Sequence, residues 1–174
     1  MNRSAQAKEK NTRPLDRFAY ALATGFGAGF VPIAPGTVGA AEGVAIYLLI
    51  AALHLRTTTS ISVFVAANII VFAVGVWASS RACEMTGLKD PRLAVIDEVS
   101  GQLIAFTPLA LWQWFSVPAV IIGFLLFRVF DIFKPYPIRK LELLPSGLGV
   151  MADDVLAGIY AAVLLWLGHQ LRLI

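Results

Sequence analysis

Seven ionisable side chains fall within or beside long apolar stretches of the chain: Glu42, Asp97, Glu98, Arg128, Asp131, Asp153 and Asp154. A charge at mid-bilayer costs at least about 2.5–3.5 kcal/mol, so such residues mark function more often than accident. Taken singly, each has a plainer reading. Glu42 is a solvated acid near a helix end, Asp153 and Asp154 answer a helix dipole, and Arg128 with Asp131 is a structural ion pair. Those readings leave the convergence unexplained. Five carboxylates gathered with one Arg and one Lys repel one another unless they are protonated or share a cation. Oxygen-rich carboxylate sites suit Mg²⁺, which keeps several waters and meets substrate phosphate through one or two acids. The carboxylates in question are Asp97, Glu98, Asp131, Asp153 and Asp154. Arg128 can grip a phosphate with two parallel hydrogen bonds, and Lys134 can act as a point charge. Gly36 and Thr37 precede a helix expected from Val38, where free N–H groups favour an anion.

The elements that must carry these residues are membrane helices. The 174-residue chain is 58% hydrophobic and only 14% charged, with a mean hydropathy of +0.76. So few charges cannot cover the surface of a water-soluble domain, and disorder is excluded more firmly. A net charge of +3, scattered along the chain, gives no footing for nucleic acid. The spans expected are Val38–Leu55, Ile61–Ser79, Ile96–Phe115, Val117–Phe133 and Val150–Leu171, each near the length that crosses about 30 Å of hydrocarbon. The fold class is therefore an all-α membrane bundle of about five transmembrane helices. Phe18–Val31 holds Gly25, Gly27 and Gly29 and ends at Pro32, a length that suits an interfacial or re-entrant piece. Residues 1–17 read as a polar, mobile cytoplasmic N-terminus, and 18–174 as one membrane-embedded domain.

Orientation follows from the basic residues. With Phe18–Val31 not crossing and the N-terminus inside, eleven Lys and Arg fall on the cytoplasmic side and two outside. If Phe18–Val31 crossed, the split would be seven to six. The first arrangement puts Asp97, Glu98, Arg128, Asp131, Asp153 and Asp154 within about 10 Å of the cytoplasmic boundary, at 1.5 Å per helical residue. His54 and His169 fall toward the opposite face. Cys83 has no preceding His and no following Arg at phosphatase spacing, and no Asp-x-Asp pair offers an aspartyl nucleophile. With these nucleophiles absent, water activated at a metal is the economical mechanism.

Four blocks carry a resemblance to a known family. They are Gly25-Phe-Gly-Ala-Gly continuing to Ala34-Pro-Gly-Thr-Val-Gly39, then Ile96-Asp-Glu-Val-Ser-Gly101. Phe127-Arg-Val-Phe-Asp-Ile-Phe-Lys-Pro-Tyr-Pro-Ile-Arg139 follows, then Gly147-Leu-Gly-Val-Met-Ala-Asp-Asp-Val-Leu-Ala-Gly158. In this order they resemble the bacterial phosphatidylglycerophosphatase A family, and the third block is the most specific. The resemblance implies a Mg²⁺-dependent enzyme of the bacterial inner membrane, with a bilayer phospholipid as its substrate. It would hydrolyse the terminal phosphomonoester of phosphatidylglycerophosphate to phosphatidylglycerol and inorganic phosphate. Asp97, Glu98, Arg128, Asp131, Lys134, Asp153, Asp154, Gly36 and Thr37 match functional positions. The mechanism expected on that match has Asp97, Glu98, Asp153 and Asp154 as the metal ligands and Arg128, Lys134 and the Gly36–Thr37 amides on the phosphate, with Asp131 taking a proton from water or orienting Arg128. Glu42 lies outside the pattern, and Ser100 stands where a bulkier apolar residue is common. The rival reading is a cation transporter or channel using the acids, which predicts acids near the midplane and repeated halves.

Overall fold

The computed structural model describes residues 13–174. Most of the polar stretch 1–17 lies outside the described residues. Its last four residues open a helix, α1 (Pro14–Ala23), with Pro at the first turn and the Asp16 carboxylate accepting from the Arg13 N–H. A 3-10 helix (Gly25–Phe30) follows, then α2 (Pro35–Ala52), α3 (Thr57–Thr86), α4 (Ile96–Ala105) and α5 (Thr107–Leu111). The chain ends with α6 (Val117–Phe133), the short α7 (Ile138–Leu141) and α8 (Ser146–Gln170). Among the described residues there is no strand.

Three of these helices, α2, α3 and α8, are long and apolar enough to cross a membrane, against the five spans expected from sequence. The clearest difference is Ile96–Phe115. It is not one helix but two, α4 and α5, parted at Phe106. Pro108 supplies the cause, because its ring collides with the carbonyl four residues back and it has no N–H to donate. Ten residues of α4 rise about 15 Å, half of a hydrocarbon layer. α6 keeps the expected bounds: Ser116 caps its start by accepting from the Ala119 N–H, and Lys134 ends it in a left-handed turn.

Two helix starts also differ from expectation. α2 begins at Pro35, whose fixed φ suits the first helical position, so Gly36 and Thr37 lie inside the first turn. α8 begins at Ser146, which places Asp153 and Asp154 in its third turn. The dipole of a helix acts mainly within its first turn, so it accounts for neither acid.

Packing centres on α4, which lies against α8 on one side and α2 on the other. Both seams are made of small residues. A Cβ at Gly39 would come within 2.7 Å of the Val95 carbonyl, and one at Gly43 within 2.8 Å of the Gln102 Cβ. On the α8 side, a Cβ at Gly101 would stand 2.6 Å from the Asp154 carbonyl. In lipid, where oily surface gains little by leaving its surroundings, close backbone approach of this kind is what holds helices together. Larger side chains fill the end of the bundle away from the acids: Tyr47, Phe64, Leu103, Phe106, Leu109 and Leu165. Val117, Ile121, Leu125, Val129 and Ile132 of α6 point outward, an apolar stripe suited to lipid.

Candidate active site

Two helices bring most of the acids together. Asp97 and Glu98 occupy the first turn of α4, and Asp153 and Asp154 face them from α8. Carboxylate oxygens of Asp97, Glu98 and Asp154 all lie within 4.8 Å of one another. Neighbours on a helix point about 100° apart, so Asp153 cannot share the direction of Asp154. It accepts instead from the Lys134 ammonium, at 2.5 Å. Of the four expected metal ligands, three therefore meet, and the fourth is held by a cation.

One oxygen on each of these four acids is buried without a hydrogen-bond partner: Asp97 Oδ1, Glu98 Oε2, Asp153 Oδ1 and Asp154 Oδ2. A carboxylate oxygen cut off from water and from donors is costly unless something positive meets it. Three such groups in one place fit a hard divalent cation such as Mg²⁺. Asp97, Glu98 and Asp154 could hold it, with Asp153 beside them.

The cations are already committed in part. Arg128 pairs with Asp131 at 2.6 Å, one turn along α6. A Cβ at Gly36 would collide with Glu98 Oε1 and stand 3.1 Å from the Arg128 Nη2, so only glycine lets α2 approach this pair. Gly36 thus touches the site by what it lacks. Thr37 lies one residue further on and is not among the residues lining the cleft. Lys134 donates to both Asp153 and Glu142, the latter at 2.8 Å. Burial works against its ammonium, but those two hydrogen bonds and the charge of Asp154 raise its pKa above the ordinary lysine value.

All five carboxylates line one cleft of about 310 Å³, together with Lys134. The sequence reading missed further members of its wall: Lys89, Asp90 and Arg92 from the loop before α4, Glu142 before α8 and Ser146 at its first residue. The basic pair had entered only as loop charges that set orientation. Glu142 carries no signal in the sequence, since its meeting with Lys134 depends on how the chain turns through α7. Glu42 stands apart from the cleft, packed beside Gly25, where a Cβ would lie 2.5 Å from its Oε2.

The apolar helices and the acid-lined cleft make this a membrane-associated helical protein with a cluster of buried carboxylates. Comparison with known proteins sharpens this. The family model for phosphatidylglycerophosphatase A matches residues 21–169, and the chain belongs to that family. It is a phosphatase. A Bacteroides thetaiotaomicron protein named for phosphatidylinositol-3-phosphatase activity is 41% identical over 152 residues, covering 83% of this chain and 89% of that one. Phosphatidylglycerophosphatase A of Haemophilus influenzae is 36% identical, over 83% of this chain and 85% of its own. The Escherichia coli protein of the same name is 32% identical, over 86% and 83%. No solved structure matches significantly.

Proposed function

We propose that the protein hydrolyses the terminal phosphomonoester of phosphatidylglycerophosphate, giving phosphatidylglycerol and inorganic phosphate. The observation that carries this reading is the set of buried, partnerless carboxylate oxygens at one end of the bundle, in a chain of the phosphatidylglycerophosphatase A family. Asp97, Glu98 and Asp154 would hold Mg²⁺, which when bound neutralises phosphate charge and makes water a better nucleophile. Arg128, fixed by Asp131, and Lys134, fixed by Asp153 and Glu142, offer preset positive charge to the phosphoryl group. Asp131 either receives the proton that the attacking water gives up or keeps Arg128 in place. Gly36 admits the α2 backbone to this group of side chains.

The site belongs at the cytoplasmic face of the inner membrane in this reading. The basic loops set that orientation, and a lipid headgroup sits just outside the hydrocarbon where the cleft would open. The five-helix arrangement counts α6 and the broken α4–α5 pair as crossing or half-crossing elements beside α2, α3 and α8. A cation transporter is disfavoured because the acids stay at one end of the bundle rather than at its middle.

Phosphate release by detergent-purified protein tests the proposal, with phosphatidylglycerophosphate, phosphatidylinositol 3-phosphate and phosphatidic acid side by side. Release from the first should exceed the others, vanish with EDTA and return with Mg²⁺. Folded protein that releases no phosphate from phosphatidylglycerophosphate under Mg²⁺ would overturn the substrate. Release that EDTA leaves untouched would overturn the metal.

A further inference from the structure

Among the cations of the cleft wall, Lys89 and Arg92 differ from the rest. Lys134, the third cation of that wall, is spent on Asp153 and Glu142. Lys89 and Arg92 line the same cleft, yet their side chains make no hydrogen bond or ion pair with any described residue. Both are exposed, so they stand at its rim while the acids form its floor.

The loop that bears them is fixed from several directions. The Cys83 thiol donates to the Lys89 carbonyl at 3.1 Å. The Ala94 N–H closes a turn on the Pro91 carbonyl at 2.7 Å, and Pro91 is buried. The Val95 N–H donates to the Ala23 carbonyl at 2.8 Å, tying the loop to the end of α1. Gly29 of the 3-10 helix packs so closely on the Leu93 carbonyl that a Cβ there would collide with it. Two cations without a partner among the described residues, on a pinned backbone, are a prepared anion site, because little order has to be created when the ligand arrives.

We propose that Arg92 and Lys89 form a second anion subsite, which takes the phosphodiester of the lipid while the acid floor works on its terminal phosphate. This rests on the lipid phosphatase reading above. Phosphatidylglycerophosphate carries two phosphates separated by one glycerol unit, whereas phosphatidic acid carries only the terminal kind. A rim that reads the inner phosphate therefore separates the two substrates by binding rather than by chemistry. Arg92 suits the task best, since its planar guanidinium can meet two phosphate oxygens at once.

The test measures KM and kcat for Arg92→Gln, Lys89→Gln and Arg92→Lys in mixed micelles with Mg²⁺, on phosphatidylglycerophosphate and on phosphatidic acid. For Arg92→Gln, KM for phosphatidylglycerophosphate should rise roughly tenfold, the weight of a lost charge-assisted hydrogen bond, with kcat unchanged. Lys89→Gln should raise it less, and Arg92→Lys should recover part of the loss. Phosphatidic acid kinetics should stay as they were. Equal rises in KM on both substrates would overturn the subsite, as would rises that disappear in micelles without other anionic lipid. Either result would leave the rim a general attractor of negative surface. Unchanged KM, or a fall in kcat alone, would also overturn it. Wild-type protein inert on phosphatidylglycerophosphate but active on another lipid phosphate would instead remove the substrate reading on which the subsite stands.

Discussion

The bundle has a cavity at each end, and the two are nearly equal in size. The acid cleft measures about 310 Å³. A second cavity of about 320 Å³ lies at the other end, among Tyr47, His54, Ser60, Leu109 and Gln113. Two polar side chains of the second are settled locally: the His54 ring lies 2.7 Å from the Ala52 carbonyl, and Gln113 donates to the Ala110 carbonyl at 2.6 Å. At the acid end, oxygens are buried with nothing to meet them. Space alone does not make a site. What separates the two ends is unspent charge, and that is where a ligand gains most by arriving.

The sharpest break of this comparison is charge removal at the acid floor. Asp97→Asn or Asp154→Asn should lower phosphate release on the order of 10³-fold, with the protein still extracted as a folded species. Near-normal turnover in either variant would end the metal-site reading. Gly36→Ala removes no charge but drives a methyl group into Glu98. A loss of about 10²-fold is expected, as a small misplacement near the chemistry can bring. Circular dichroism should show an unchanged helix content. Lys134→Gln leaves Asp153 buried without its counter-charge. Phosphate release should fall roughly 10-fold or more, while Glu142→Gln, which removes the more exposed partner, should cost less. At the other end, His54→Ala and Gln113→Ala should leave turnover within about twofold. Leu109→Ala should lower thermal stability by roughly 2–5 kcal/mol with little change in activity per folded molecule. A large activity loss from any of these three would erase the distinction between the ends.

How legible this was in the sequence varies from element to element. α6 could be read to the residue, because a capping Ser116, an early Pro118 and the terminal Lys134 punctuate an unbroken apolar run. α4 could not, since apolar character continues through Phe106 and masks the break that Pro108 imposes. α1 was hidden for the opposite reason. Arg13, Asp16 and Arg17 put charge at its start, while its buried Ala19 and Ala23 are too small to give a strong apolar signal. Within the site, the acids announced themselves by being ionisable beside apolar runs. Their division of labour did not, because the turn through α7 decides that Lys134 meets both Asp153 and Glu142. The collision that reserves Gly36 for glycine is equally a property of two helices, and a single sequence records only one of them at a time.

The glycine seam between α2 and α4 also fixes the traffic of the lipid. Side chains can swing aside to open a passage, but backbone pressed against backbone at Gly39 and Gly43 has nothing to swing. A molecule with two acyl tails therefore cannot slip between those helices. On the proposed substrate, entry is left to the sides where side chains can move, such as that of Leu143, exposed in the wall of the cleft, and of Phe133 and Tyr136, exposed around the neighbouring Lys134. If substrate and dephosphorylated product use the same open side, the product competes with the next substrate for entry.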